Sequence, residues 1–395
     1  MDPVTGFPVV GMVGGGQLSR MTQQAAIALG QSLHVLAVSP TDPAALVTPN
    51  VTIGHHTDLE ALRAFASSCD VMTFDHEHVP NEYLRTLVAE GFAVHPGPDA
   101  LIHAQDKLVM RNRLAEMDVP IPAYAEVKTV SDVTQFGEKH GWPVVLKAAR
   151  GGYDGKGVWM VPSSGEALVT ELLEAGTPLL VEERVDMTRE LAAVVARSPF
   201  GQGAAWPTVE TVQSNGICVE VLAPAPSLSE DLAQEAQELA LRIASNLGVV
   251  GVLAVELFET SSGLVVNELA MRPHNSGHWT IEGSGTSQFE QHLRAVLDYP
   301  LGSTDPVAPV VVMANVLGAR STPDMGPDER VHHLFARYRD VHVHYYGKAE
   351  RPGRKIGHVT VLGEDLTEVR RRARFAADWL ATGAWPDGYD VHGGK

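Results

Sequence analysis

Residues 250–280 read VGVLAVELFETSSGLVVNELAMRPHNSGHWT. Two apolar runs rich in Val and Leu flank the polar turn TSSG, which predicts an antiparallel hairpin. Glu256 lies on the first strand and Glu268 near the end of the second, twelve residues apart. In such a hairpin the two carboxylates can share a face. Carboxylates on rigid strands with few competing ligands suit Mg2+ bridging to phosphates; the plainer alternative is that both pair with lysines. Beyond the second strand, Arg272, His274 and His278 crowd into a segment broken by Pro273 and Gly277. The i,i+4 spacing of the histidines invites a zinc reading, but the proline and glycine argue against a helix and no HExxH is present. Arg272, next to a carboxylate-bound metal, is suited to gripping a planar anion with its fork.

Upstream, the first hundred residues alternate FPVVGMVG, QLSRMTQQAAIALG, SLHVLAVS, DLEALRAFASSC and DVMTF, a strand–helix rhythm that predicts a parallel α/β sheet. Next come the helical DKLVMRNRLAEM, the strand–glycine loop–strand segment WPVVLKAARGGYDGKGVWMV, and TPLLVEERV. A long helix, SEDLAQEAQELALRIASNLG, precedes the hairpin. The last section holds VVVMANVLG, VHVHYYGKAERPGRKIGHVTVLG and the amphipathic LTEVRRRARFAADWL, and the tail PDGYDVHGGK reads as disordered. No repeat or low-complexity segment interrupts this order.

Two glycine loops carry chemistry. GMVGGGQLSRM follows a strand and opens a helix, so its backbone N–H groups can meet an anion, or the loop is only a tight turn. Gly14, Gly16 and Ser19 merely approximate a dinucleotide fingerprint, and Ser39 and Pro40 stand where its acidic residue belongs. KAARGGYDGKG lacks the Walker ending, yet a glycine loop bracketed by Lys147 and Lys156 suits a cover over nucleotide phosphates, with a solvated hairpin turn as the alternative.

Composition narrows the partners. With 30 Lys+Arg against 48 Asp+Glu the net charge is −18, which disfavours nucleic acid. No apolar run nears the roughly 18 residues of a membrane span, and the N-terminus has no basic n-region. Cys69 and Cys218 stand alone, which favours two buried thiols over a disulfide. A cytoplasmic protein with no membrane or nucleic-acid partner is expected, and a local basic pocket for one small anion is compatible with this charge.

GGGQLSRM, GGYDGKG, VEERV, NELAMRPHNSGHWT and YGKAERPGRKIGH, in this order over nearly the whole chain, resemble the ATP-grasp ligases. The pair RPHNSGHWT and RPGRKIGH resembles the branch that carboxylates an aminoimidazole ribonucleotide. This resemblance implies an α/β chain with an N-terminal Rossmann-like, parallel-sheet pre-ATP-grasp domain at 1–104. An ATP-grasp region at 105–307 follows, with a small lid lobe about 117–185 and a larger lobe about 186–307. A small C-terminal domain at 308–385 and a tail at 386–395 complete it.

It implies ATP and Mg2+, with bicarbonate phosphorylated to carboxyphosphate and passed to the amine of 5-aminoimidazole ribonucleotide, in a homodimer. Lys107 and Lys147 match the lysines that reach the nucleotide phosphates, and Gly152, Asp154, Gly155 and Gly157 the flap over them. Glu182, Glu183 and Val185 match the adenine hinge, Glu190 the ribose carboxylate, and Glu256 and Glu268 the magnesium ligands beside Asn267. Arg272 and His274 match the catalytic pair, with His274 orienting the anion or taking a proton near neutrality, and Asn275 and Ser276 as further donors. Gly16, Gln17, Leu18, Asp75, Glu77, Tyr153, Asp154, Lys348, Arg354 and Lys355 match the ribonucleotide site, the last three as cations around its phosphate.

The chain departs from the pattern at Asp75, where relatives commonly carry glutamate, and at Thr211 and Gln213, where many carry Asn and His. Three alternatives compete: a formate-dependent glycinamide ribonucleotide transformylase, an NAD-dependent oxidoreductase resting on the first glycine loop, and a non-catalytic nucleotide-binding module.

Overall fold

The computed structural model describes residues 1–152 and 156–390. Among these residues the strands form three sheets. The first is parallel, with Asn50–Ile53, Ser32–Ala37, Val9–Val13 and Val71–Phe74 side by side in that order. Val71–Phe74 is buried along its whole length, as expected for a strand with cover on both faces. The short Asn50–Ile53 strand carries no apolar run and escapes a periodicity reading.

The second sheet has four strands, Tyr124–Val127, Leu179–Glu183, Val144–Ala148 and Val158–Val161 in that order, all antiparallel. Helices Val130–His140 and Glu166–Glu174 bring Val133, Phe136 and Val169 onto it. A capping box between Thr129 and Asp132 fixes where the first of these helices starts.

The third sheet has nine strands, antiparallel throughout. Its central strand, Met187–Arg197, pairs with Gly251–Thr260 on one side and Val209–Ser214 on the other. Ile217–Ala223 hands the sheet on to Val310–Leu317, then Lys355–Gly363 and His342–Tyr345. One sheet thus runs unbroken across position 308. Helix Leu366–Thr382, capped by Asp365 and closed by left-handed Gly383 at φ 70°, is tied to it by Arg370 and Arg374, which clasp the buried Glu220. The expected disorder of the tail gives way to packing as far as Tyr389. Arg337 pairs with Asp387 at 2.5 Å and lies 4.4 Å over the Tyr389 ring, while Trp385 stacks on Trp379.

Helix Gln288–Val296 joins the two large bodies. Its buried His292 accepts from Val252 N at 3.1 Å through Nδ1 and meets Thr73 Oγ1 at 2.7 Å through Nε2. The C-terminal ends of Val9–Val13 and Val71–Phe74 are thereby held against the hairpin end that carries Arg272. No disulfide joins Cys69 and Cys218, and both are only partly buried, not fully as expected. Among the described residues no helix is long and apolar enough to cross a membrane.

Candidate active site

The predicted hairpin is Gly251–Thr260 and Gly263–Ala270, and Glu256 and Glu268 are direct cross-strand partners. A bulge at Asn267, opposite the Glu256–Leu257 step, makes them so. Without it, the two-residue turn would set Glu256 opposite Asn267 and throw Glu268 to the other face. Burial first, then the neighbouring Glu268 and Glu190, pushes the Glu256 carboxyl up to about 7. A divalent cation relieves that kind of crowding, and the hard oxygen donors of Glu256 and Glu268 suit Mg2+. Among the described residues no set of three or more His, Cys, Asp and Glu side chains is arranged to hold a metal by itself, so a cation here needs ligands from elsewhere, such as phosphate oxygens.

Three cations surround the hairpin. Lys107 Nζ bonds Glu268. Its helix starts where it does because Asp106 caps Leu108 N and Val109 N, and Arg150 at the base of the flap anchors on the same carboxylate at 2.7 Å. Lys147 Nζ lies 2.8 Å from Glu182 and 3.1 Å from Asn267 Oδ1. Arg111, which sequence reading missed, is fully buried; it donates to Glu182 at 2.7 Å and to the carbonyls of Val266 and Asn267. Burial works to raise the Glu182 carboxyl, but Lys147 and Arg111 outweigh it and hold it below its usual range. The Glu182 side chain is therefore an anchor for the lysine and not an adenine contact. Glu183 likewise accepts from Ala123 N at 2.8 Å, and Val185 lies in the unpaired link between Leu179–Glu183 and Met187–Arg197. Any base held at this hinge meets backbone there.

Glu190 sits one strand from Glu256. Burial raises its carboxyl, and a hydrogen bond from Gln213 counters part of that. Gln213 stands just past the step that faces a bulge at Val219, and Thr211 is the direct partner of Glu190. Of the three departures from the family pattern, Thr211 and Gln213 therefore flank Glu190, and Gln213 reaches its carboxylate.

Arg272 is held in one orientation, its Nε on Glu77 at 2.8 Å and its Nη1 on Pro273 O at 3.1 Å. Burial disfavours its charge, yet Glu77 more than offsets this. Glu77 is thus the brace of the candidate anion residue. Asp75 packs into the first glycine loop: a methyl group at Gly14 or Gly16 would collide with its carboxylate. That carboxylate sits at the uncapped N-terminus of helix Gln17–Ala28, where a dinucleotide would place pyrophosphate, which counts against the NAD alternative.

His274 differs from expectation. Burial, then Arg272 and Lys355, push it down to about 3, so the ring is neutral at physiological pH instead of titrating near 7. Its Nδ1 accepts from Ser276 N, which leaves the proton on Nε2, 3.3 Å from Glu256 Oε1. Ser276 Oγ is spent on the same ring at 2.9 Å. Asn275 forms a reciprocal amide pair with Asn315 at 3.0 and 2.8 Å, which uses one of its two amide donors. Asn275 and Ser276 shape the turn. The His278 ring is buried against Phe289 and His358.

The ribonucleotide positions are brought together in part. Lys348 donates to Gln17, so the C-terminal loop does reach the first glycine loop. Lys355 instead lies within electrostatic reach of Glu256 and His274, and Arg354 turns back to Ala349 O. The Leu18 side chain is core, packed with Met21, Phe289 and Tyr346. In the flap, Gly151 and Gly157 take φ 76° and 74°, and a side chain at Gly152 would strike Lys156 O. Tyr153, Asp154 and Gly155 lie outside the described residues.

Three family models match the chain: the ribonucleotide synthetase preATP-grasp domain over 8–105, the ATP-grasp domain over 112–289 and the phosphoribosylaminoimidazole carboxylase C-terminal domain over 311–372. The N5-carboxyaminoimidazole ribonucleotide synthase of Mycobacterium tuberculosis is 64% identical over 98% of this chain and 92% of its own. That of Corynebacterium ammoniagenes is 50% identical over 98% and 95%. The solved synthetase of Thermus thermophilus superposes with TM-score 0.84 at 37% identity, covering 95% of this chain and 99% of that one. The Aspergillus clavatus synthase in complex with ADP and 5-aminoimidazole ribonucleotide gives TM-score 0.84 at 32% identity, over 95% and 98%.

Proposed function

The chain belongs to the N5-carboxyaminoimidazole ribonucleotide synthase family of ATP-grasp ligases, and we propose that it carboxylates 5-aminoimidazole ribonucleotide with bicarbonate and ATP. A bicarbonate oxygen attacks the γ-phosphorus and ADP leaves, giving carboxyphosphate. The exocyclic amine then attacks the carboxyl carbon, or carbon dioxide freed from it, phosphate leaves, and the amine gives up a proton. Mg2+, held by Glu256 and Glu268, would neutralise charge on the phosphates.

The chain's own residues position and shield. Lys107 and Lys147 aim ammonium groups at the phosphates, and Glu190 takes the ribose hydroxyls with Gln213 steadying it. Arg272, oriented by Glu77, grips bicarbonate and then carboxyphosphate. Neutral His274 offers Nε2–H to Glu256 or to the anion beside it, a donor and not a base. The glycine flap keeps water from an intermediate that hydrolyses readily. Lys348 and Gln17, already joined, receive the ribonucleotide phosphate side. A homodimer is expected as well, and sedimentation of the purified chain checks it.

The observation that carries this proposal is the meeting of Arg272 and Glu77 beside the Glu256–Glu268 pair, an anion grip next to a cation site. The test is ADP release with ATP and Mg2+, adding bicarbonate and the ribonucleotide separately and together. Strong stimulation by the pair, with an acid-labile carboxylated product, supports it. Turnover with formate and glycinamide ribonucleotide instead would move the chain to the transformylase reaction.

A further inference from the structure

Gln288 matches none of the family's substrate positions, yet it is fully buried at the first turn of helix Gln288–Val296. Its carboxamide closes on the peptide of His274 from both ends. Oε1 accepts from His274 N at 2.8 Å, and Nε2 donates to His274 O at 2.8 Å. The same Nε2 donates to His278 Nδ1 at 3.0 Å. Gly277 is a glycine for this reason: a methyl group there would collide with the amide. Thr280 ties the arrangement together, accepting from Gln288 N at 2.8 Å and donating to Gly277 O at 2.6 Å.

The peptide of His274 presents one donor and one acceptor, so the amide has a single satisfying orientation. That orientation fixes a tautomer: with Nδ1 of His278 accepting, its proton sits on Nε2.

We propose that Gln288 is a positioning residue for the carboxylation, one that sets the His274 backbone and so aims the His274 Nε2–H at Glu256 and the Arg272 guanidinium at the anion. The idea rests on the carboxylation proposed above. A loosened clamp lets both groups drift, and a misplacement of about 1 Å costs on the order of 100-fold in rate. Loss falls on the step after ATP is bound, because Lys107, Lys147 and Glu190 are held by other contacts.

Two variants test it. Gln288→Met keeps the volume and removes every side-chain hydrogen bond, whereas Gln288→Glu keeps the acceptor for His274 N and loses the donor. Both are expected to keep the KM for ATP within about twofold, to lose on the order of 100-fold in kcat, and to release more than one ADP per carboxylated product. Nitrogen NMR of the wild-type imidazoles is expected to give the Nε2–H form for His278. Variants that melt with wild type and keep its kcat and one-to-one stoichiometry would overturn the proposal. So would a kcat that falls only in step with thermal stability while the stoichiometry holds. Should neither variant fold, the wild-type spectrum decides, and an Nδ1–H form of His278 overturns the clamp. A wild type that makes no carboxylated product sinks the reaction and leaves the tautomer result standing, so the two failures are distinct.

Discussion

Arg111 Nε lies 2.7 Å from Glu182 Oε1, and both side chains are sealed from solvent. The other Glu182 oxygen holds Lys147, and the remaining arms of Arg111 hold the carbonyls just before Glu268. One guanidinium therefore links strand Leu179–Glu183 to strand Gly263–Ala270 and, through Glu182, to Lys147. Breaking a buried ion pair from one side leaves an uncompensated charge. Arg111→Met is expected to lose about 3–5 kcal/mol of stability, and Arg111→Lys to recover little of it. Urea unfolding checks this; a midpoint near wild type for Arg111→Met would contradict it.

Glu268→Gln should separate chemistry from folding. The side chain is 38% exposed and glutamine keeps a carbonyl oxygen to accept from Lys107, so the melting temperature should move little. Turnover should fall on the order of 100-fold or more, because the cation loses a ligand. Steady-state kinetics beside a thermal melt gives both numbers.

Gln213 is expected to act through Glu190. Gln213→Ala removes the donor that favours the carboxylate form, worth about 1 kcal/mol, and ADP affinity should weaken by about fivefold. Calorimetric titration with ADP reads it directly, and an unchanged affinity would free Glu190 from the ribose role.

His292 supplies a pH signature. Burial pushes it down to about 3 in the folded chain from 6.5. Between those values the unfolded chain binds a proton that the folded one refuses. Its contribution to stability is complete above 6.5 and fades as pH falls toward 3, with a slope of up to about 1.4 kcal/mol per pH unit. His292→Gln should flatten that part of the profile, as denaturation at several pH values would reveal.

The parallel sheet, the second sheet and the hairpin were legible in the sequence because alternating apolar runs and glycine turns are local signals. The shared face of Glu256 and Glu268 was less so, since it depends on a bulge at Asn267, opposite the Glu256–Leu257 step, that nothing in VVNEL announces. Asp106 left a trace as a capping residue before a helix, and Arg111 recurs one turn after Lys107. Gln288 and Asn315 left none, since their partners at His274 and Asn275 are 14 and 40 residues away. The neutrality of His274 is likewise a product of burial, which spacing does not report.

The central claim is that bicarbonate is phosphorylated before the amine is carboxylated, with Arg272 gripping the intermediate. Bicarbonate labelled with oxygen-18, turned over with ATP, Mg2+ and 5-aminoimidazole ribonucleotide, tests it directly. One labelled oxygen should appear in each phosphate released. Carboxylated product formed with unlabelled phosphate would contradict the account.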